Sequence, residues 1–357
     1  MVALQGPSGE TADKRFRVPG GVSFNERALD GRFLDSSIAT LRRVRWNNVA
    51  ALALIHILAG LAILPWLFSW TGVVLAVLGT YAFATLGINI GYHRLLTHRG
   101  LVCPRWLEYT FATLGTCCAQ DSPPIWVAIH RRHHQMSDGD GDPHSPTSNV
   151  LWGYVGWLLI KQDHLEPKVL LDRYARDLMR DPFYAWLNRS DNWIKVVIGS
   201  WFVFFALGTL AAAALGSDAY YAIQFGLSVM IWGALVRTAL TLHITWFANT
   251  MDHLWGYRNY DTPDNSRNNM FISVLTNGEG WHNNHHADPS SANHGHRPGE
   301  FDLSWQTIRL LMKLGLARDV VTPSTSLAST SGAAAPQTRD RKRVHSSYGV
   351  SITSDTF

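Results

Sequence analysis

The chain has 357 residues, a formal net charge of +4 and 16 histidines. Charged residues make up only 16%, against about a quarter in soluble domains, while hydrophobic residues make up 46% and include 15 tryptophans. This balance predicts a membrane protein with a sizeable water-facing part and gives no indication of a nucleic-acid partner. The three cysteines, Cys103, Cys117 and Cys118, form neither a disulfide framework nor a CxxC metal motif.

The two ends of the chain differ from its middle. The first 45 residues are polar and contain no short apolar stretch with a cleavage site, so we expect no removable signal peptide. Residues 1–30 are predicted to form a disordered tail, and so are residues 323–357, which are rich in Ser, Thr and Ala and then basic. Residues 31–322 are predicted to form a single membrane domain.

Four apolar segments are long enough to cross a bilayer, which takes about 20 helical residues. They form two hairpins with the short connectors "SWTG" and "GSDA" and occupy residues 48–67, 71–92, 193–215 and 220–243. The stretch 101–129 is apolar but interrupted by "DSPP", which predicts an interfacial or re-entrant helix pair. The expected fold is therefore an all-α integral membrane protein with four transmembrane helices.

The basic residues orient these helices. No Lys or Arg occurs between Arg45 and Arg94, or between Lys195 and Arg237, so both connectors lack positive charge while the flanks are basic. Because an excess of Lys and Arg marks the cytoplasmic side, we expect both termini and the long loops on that side. The predicted cytoplasmic parts are residues 93–192 and 244–322.

Eight of the 16 histidines lie in three motifs on that side: His93 and His98; His130, His133 and His134; His282, His285 and His286. Positions i, i+3 and i+4 share a helix face, so each H-x-x-H-H triple can converge. The other pair, five residues apart, fits better across a helix end. Neutral imidazole is the commonest protein metal ligand, and eight are too many for one ion. Two nitrogen-rich sites at a membrane surface favour a redox metal pair, with iron the expected metal.

The motifs "GYHRLLTHR", "HRRHH" followed by "DGDPHSP" and "YVGWLL", and "NGEGWHNNHHADP" resemble, in order and spacing, those of the membrane fatty acyl desaturases of the stearoyl-CoA (Δ9) type. The resemblance covers residues 48–317. It implies four transmembrane helices under a cytosolic helical cap and a diiron centre, two Fe²⁺ ions, held by nine histidines. The ninth matches His253 in "NTMDH", and Asn249 matches the residue that holds an iron-bound water.

The resemblance also implies a bent tunnel that places the reacting carbons of an acyl chain below the metal ions. The residues that match those forming its kink are Gln120, Trp126, Thr245 and Trp246. Tyr81 and Thr85 of the second apolar segment match the far end of the tunnel. Thr85 replaces a smaller alanine, which predicts a shorter tunnel and a preference for 16-carbon chains.

Two departures concern the carrier of the acyl chain. Animal enzymes of this type contact the CoA headgroup with an Arg-Asp pair, and Ala128 and Ile129 stand there instead. Of two expected basic residues further on, Lys161 is present and Gln162 replaces the other. This thin phosphate-binding patch leaves acyl-CoA and a membrane acyl-lipid both open as carriers. No cytochrome domain is recognisable, so a separate electron donor of the ferredoxin, rubredoxin or cytochrome b5 type is expected.

The predicted function is O₂-dependent introduction of a cis double bond, at Δ9, into a saturated acyl chain. One alternative is a diiron membrane lipid hydroxylase, and a second, from another class, is a metal-binding or transport membrane protein. Transport would place ionisable ligands along the spans, where His56 is the exception to an apolar pattern. The candidate carboxylate partners of the imidazoles are Asp142, Asp252, Glu279 and Asp288. The histidines without an assigned ligand role are His56, His144, His164, His243, His294, His296 and His345.

Overall fold

A computed structural model describes residues 43–147, 149–323 and 343–344 of the chain. Within them, four helices are long and apolar enough to cross a membrane; we call them spans 1 to 4, and they are Trp46–Ile63, Trp70–Thr97, Pro182–Ala214 and Ala219–Met251. The predicted all-α membrane fold with four transmembrane helices is thus confirmed. The predictions of disorder for 1–30 and 323–357 fall outside the described residues, apart from Pro323 and the pair 343–344.

The spans are built from several helical types. Span 1 is the α-helix Trp46–Gly60 with the 3₁₀ turn Leu61–Ile63, and a second such turn, Pro65–Leu67, follows it. Span 3 consists of Pro182–Asn188, a turn with two left-handed residues at Arg189–Asp191, and the long helix Asn192–Ala214. The segments of span 4 are Ala219–Met230, the π-helix Ile231–Val236 and Arg237–Met251.

The two hairpin connectors supply the N-caps of the helices that follow them. The Ser69 hydroxyl accepts a hydrogen bond from Gly72 N, and the Asp218 carboxylate accepts one from Tyr221 N. Such side chains satisfy backbone N–H groups that the first helical turn leaves without a partner. The short polar connectors therefore start spans 2 and 4 as well as turning the chain.

Span 2 changes its hydrogen-bond register on its way to the first histidine motif. Its α-helix Trp70–Gly79 continues as the π-helix Thr80–Thr97, in which each N–H bonds the carbonyl five residues back. At its end, His98 N–H donates to His93 O over 3.1 Å. The i, i+5 pair, which a regular α-helix would splay apart, is thereby brought to a ring separation of 4.8 Å.

A helix pair fills the stretch 101–129 and beyond. Arg105–Thr116 packs along span 2, and Pro123–Met136 returns towards the histidines with Pro123 in its first turn, a position where the missing N–H costs nothing. Gly87 and Gly115 meet where the first of these helices crosses span 2, and a Cβ on Gly87 would overlap the backbone of Gly115. This close contact fixes the pair against span 2.

The remaining elements form a cap at the end of the spans that carries the histidines. Its helices are Trp152–Gly156, Trp157–Leu159, Asp163–Leu165, Pro167–Tyr174, Arg176–Met179, Met270–Thr276, His282–Ala287 and Leu303–Lys313. A two-residue strand, Val320–Val321, pairs antiparallel with Arg343–Val344. The largest apolar cluster joins the last turns of span 2 to the helix pair and to Ile308, so the cap and spans form one packed body around the histidines.

Candidate metal centre

The nine predicted histidines meet in two groups. Their ligand nitrogens lie within 4.8 Å of one another in each group: His93, His98, His130, His134 and His285 in the first; His133, His253, His282 and His286 in the second. Span 2, the Pro123–Met136 helix, the end of span 4 and the His282–Ala287 helix all contribute. The arrangement offers two adjacent nitrogen-rich sites of five and four ligands.

Each H-x-x-H-H triple divides between the groups instead of converging on one. His130 and His134 belong to the first group and His133 to the second, while His282 and His286 belong to the second and His285 to the first. The reason is the helical turn of about 100° per residue, which puts i+4 about 40° to one side of i and i+3 about 60° to the other. Adjacent histidines in each motif therefore point to different sites.

The spacing of the nitrogens fits metal coordination. In the first group, Nε2 of His93 lies 3.0 Å from that of His285, and Nε2 of His130 lies 3.0 Å from that of His134. Two nitrogens that each lie about 2.1 Å from the same ion, with an N–ion–N angle of about 90°, would be about 3.0 Å apart. Nε2 of His98 and Nε2 of His286 are buried without a hydrogen-bond partner among the described residues. Unpaired buried imidazole nitrogens aimed into such a group are what a metal site requires.

Burial favours the neutral imidazoles that metal ions bind. It lowers the pKa of six of these histidines well below the usual value, and the neighbouring imidazoles lower it further: His98, His130, His134, His282, His285 and His286. His133 differs, because the Asp142 carboxylate outweighs burial and raises its pKa. Most of the cluster is therefore ready to bind a metal without losing a proton.

Four carboxylates orient these imidazoles. Each accepts a hydrogen bond from the Nδ1 of one histidine: Glu279 from His93 (2.5 Å), Asp142 from His133 (3.0 Å), Asp138 from His253 (2.8 Å) and Asp264 from His286 (2.8 Å). A carboxylate on Nδ1 fixes the tautomer and leaves Nε2 for the metal. Carboxylates thus fix the ring orientation of one histidine in the first group and of three histidines in the second.

The sequence identified some of these carboxylates and missed others. Glu279 and Asp142 were predicted partners, whereas Asp138 and Asp264 were not. Asp288 instead accepts a hydrogen bond from Ser290 Oγ at 3.0 Å. Asp252 is fully buried, and neither of its oxygens has a hydrogen-bond partner among the described residues. Burial, together with the charge of Glu279, raises the pKa of Asp252 well above its usual range.

A buried arginine lies behind the first group. Arg94 pairs with Glu279 Oε1 at 2.9 Å and with Asp302 Oδ2 at 3.2 Å, and it contacts His294. Burial alone would raise the pKa of Glu279, but Arg94 and His93 outweigh it and lower that pKa, so Glu279 stays ionised. The sequence alone predicts for Arg94 only a place in the basic flank of a span.

Two histidines without an assigned role lie at the edges of the groups. The His294 ring is 4.4 Å from that of His285, and the His144 ring is stacked 4.4 Å from that of His133. Each belongs to a further set of three possible ligands, with Glu279 or Asp142. Both residues lie outside the three histidine motifs, so the spacing of histidines in the sequence does not identify them.

A cavity opens beside the histidines, bounded by spans 2 and 4. Its lining includes both metal-site and apolar residues: Thr80, Ala84, Ile88, His93, Trp126, His130, Ile244, Thr245, Ala248, Asn249, Asp252, Leu275 and His282. Trp126 Nε1 donates to Gln120 Oε1 (3.3 Å), and Gln120 Nε2 donates to Thr245 Oγ1 (2.9 Å). Three of the four residues predicted to form the kink are thus hydrogen-bonded in a row at the cavity wall.

The other predicted substrate residues are not part of this hydrogen-bonded row. Trp246 is buried against Ile55 and Leu242. Tyr81 shares a hydrogen bond with Thr307 (2.8 Å), and the Thr85 hydroxyl accepts one from Asn277 Nδ2 (2.9 Å). Lys161 is exposed at the surface. Asn249 precedes His253 by one helical turn and faces the cavity.

Comparison with known proteins agrees with this site. The family model for fatty acid desaturases matches residues 64–311. The chain is 38% identical to an sn-1 stearoyl-lipid 9-desaturase of Synechocystis sp. over 80% of this chain and 83% of that protein, and 38% identical to an sn-2 palmitoyl-lipid 9-desaturase of Nostoc sp. over 78% and 91%. It is also 38% identical to an acyl-CoA 5-desaturase of Anemone leveillei over 78% and 82%.

Four candidate membrane spans, a histidine site suited to metal and the match to the desaturase model together define a membrane-bound oxidoreductase. The chain belongs to the fatty acid desaturase family. The predicted resemblance is confirmed, and with it the enzyme class.

Proposed function

We propose that this enzyme uses O₂ to introduce a cis double bond at carbon 9 of a saturated acyl chain, with two iron ions held by the nine histidines. The observation that carries the proposal is the pairing of a five-histidine and a four-histidine group beside a cavity walled by Trp126 and Thr245. Imidazole-rich sites suit iron, and two of the similar proteins above are named as 9-desaturases.

When bound, the irons would supply the oxidising chemistry in which O₂, two electrons and two protons are consumed as two hydrogens leave adjacent carbons and two waters form. The protein's own contribution is position. Asn249 faces the same cavity, where it would hold a water at the second group. The hydrogen-bonded row of Gln120, Trp126 and Thr245 gives the cavity a rigid wall, and such rigidity selects the carbons that react.

A membrane acyl-lipid is the carrier that we propose. Ala128 is fully buried with Leu170 and Ala175, and Ile129 packs against the same cluster, so an apolar contact occupies the place where a CoA-binding pair would be expected. Gln162 is buried and donates to Pro143 O (3.2 Å). Of the two basic residues expected from the family pattern, only Lys161 remains, and one such residue gives a polyanionic headgroup little charge to bind.

We further propose that the histidines face the cytoplasm, where a separate donor of the ferredoxin, rubredoxin or cytochrome b5 type delivers the electrons. The support is the distribution of basic residues: Arg45 directly precedes span 1, Arg94 and Lys195 lie in the halves of spans 2 and 3 away from the connectors, and the two connectors carry no Lys or Arg.

The test is a fatty-acid profile, with double-bond location, of cells that express the chain and supply a working donor. We expect a new 9-cis monoene with the unaltered chain and none with His133→Ala. His296→Ala, which removes a histidine outside both groups, serves as the matched control and should retain the product.

Hydroxylated chains in place of a monoene would overturn desaturation in favour of the hydroxylase. For the carrier, we would give the purified enzyme, with reduced donor, a stearoyl lipid in vesicles or stearoyl-CoA. Product from the CoA ester alone would contradict the acyl-lipid proposal.

A further inference from the structure

Three polar side chains from three elements are joined in a row at the outer surface, where spans 1 and 4 meet the cap. His56 Nε2 lies 2.9 Å from Nε2 of His243, and His243 Nδ1 lies 2.8 Å from Tyr154 Oη. They come from span 1, span 4 and the Trp152–Gly156 segment. Ionisable side chains within transmembrane helices are costly and are kept where they have a function.

The direction of these hydrogen bonds follows from the end of the row. His56 Nδ1 lies 2.7 Å from Leu52 O, which can only accept. A neutral His56 therefore accepts at Nε2, so His243 donates from its own Nε2 and accepts at Nδ1 from the Tyr154 hydroxyl. Every donor in the row is used, and the row ties the outer turn of span 4 to two neighbouring elements.

This row lies directly against Trp246. The Trp246 ring makes edge contacts with His243 (5.3 Å, 79°) and with Tyr154 (5.8 Å, 73°). The preceding residue, Thr245, points to the cavity and bonds Gln120. One turn of span 4 thus has the proposed acyl path on one side and the polar row on the other.

We infer that His56, His243 and Tyr154 act as positioning residues for the desaturation that we propose above: by holding Trp246 and the adjacent Thr245, they fix which carbon of the acyl chain faces the metal site. The rate of reaction at a given carbon depends steeply on its distance from the metal site. A shift of the cavity wall at Thr245 by a fraction of an ångström would therefore let a neighbouring carbon of the acyl chain react instead. The inference rests on the proposed function and adds the determinant of double-bond position.

The test compares the positional isomers made by Tyr154→Phe and His243→Leu with those of the unaltered enzyme. Tyr154→Phe keeps the ring beside Trp246 and removes only the hydroxyl. We expect about a fivefold rise in the share of minor positional isomers, equivalent to about 1 kcal/mol for one hydrogen bond, with total product within about a factor of three. His243→Leu, which removes both bonds, should give a larger rise.

Tyr220→Phe is the matched control. Tyr220 accepts a hydrogen bond from Trp66 Nε1 (2.8 Å) and so joins the start of span 4 to the turn that follows span 1, at the end of the spans away from the histidines. It should lower stability as much as Tyr154→Phe does, without changing the isomer ratio. If Tyr154→Phe leaves that ratio unchanged, or if Tyr220→Phe shifts it equally, the inference is wrong. Absence of a monoene from the unaltered enzyme would instead count against the proposed function.

Discussion

At the scale of single residues, some of the carboxylates that accept hydrogen bonds from the imidazoles can be predicted from the sequence and others cannot. Asp142 and Glu279 lie close to a histidine motif in the chain, so proximity identifies them. Asp264 lies 22 residues before its partner, His286. Only the folding of the loop after span 4 brings the two together, and neither spacing nor periodicity encodes that contact.

We predict that Asp264→Asn weakens metal binding roughly 10–100-fold, the usual cost of losing such a carboxylate partner. The amide keeps the size of the side chain but no longer stabilises the tautomer of His286 that leaves Nε2 free. The measurement is retained iron per chain after dialysis against graded chelator. Asp261→Asn, in the same loop but fully exposed, is the control, and equal iron loss in both variants would contradict the prediction.

At the scale of elements, the sequence predicts where helices occur better than how they are wound. The apolar length of span 2 is evident in the sequence, but the continuation of its helix beyond residue 92 to Thr97 is not. The π-helical hydrogen-bond register of span 2 is not predictable in this way either, because hydropathy indicates burial and does not indicate which carbonyl accepts from a given N–H. That register is what joins His93 to His98.

The contact between span 2 and the Arg105–Thr116 helix gives a second prediction. Gly87→Ala would drive a methyl group into the backbone of Gly115, where neither chain can give way easily. We expect a loss of about 1–3 kcal/mol or more in the free energy of unfolding, seen as a lower midpoint in detergent. Gly199→Ala has nothing within 4 Å of its new Cβ and should be neutral, so equal losses would show that the close contact is not the cause.

At the scale of the whole molecule, the number of spans and the fold class were predictable, because a bilayer leaves few alternatives to helices of about 20 residues. Two metal sites were also predictable from the number of histidines, but the assignment of each histidine to one of the two groups was not. It depends on how span 2, the Pro123–Met136 helix and the His282–Ala287 helix meet, and that meeting is set by packing between distant parts of the chain.

The proposed orientation can be tested with thiol labelling, because Cys103, Cys117 and Cys118 are all buried. We predict that a membrane-impermeant maleimide labels Leu215→Cys, in the exposed connector before span 4, in intact cells. Asp261→Cys, on the cap, should be labelled only after the membrane is opened. The reverse pattern would place the histidines outside the cytoplasm.

The crossing of the histidine motifs between the two groups has a consequence for biosynthesis. His285 completes the first group and His286 belongs to the second, while the other members of the first group come from the first 134 residues. The first group lacks a member until residue 285 has been synthesised and the second until residue 286, by which time all four spans have been made. Neither group could therefore bind a metal ion with all its histidines until late in synthesis. A nascent chain that stalls after span 4 would have neither group complete.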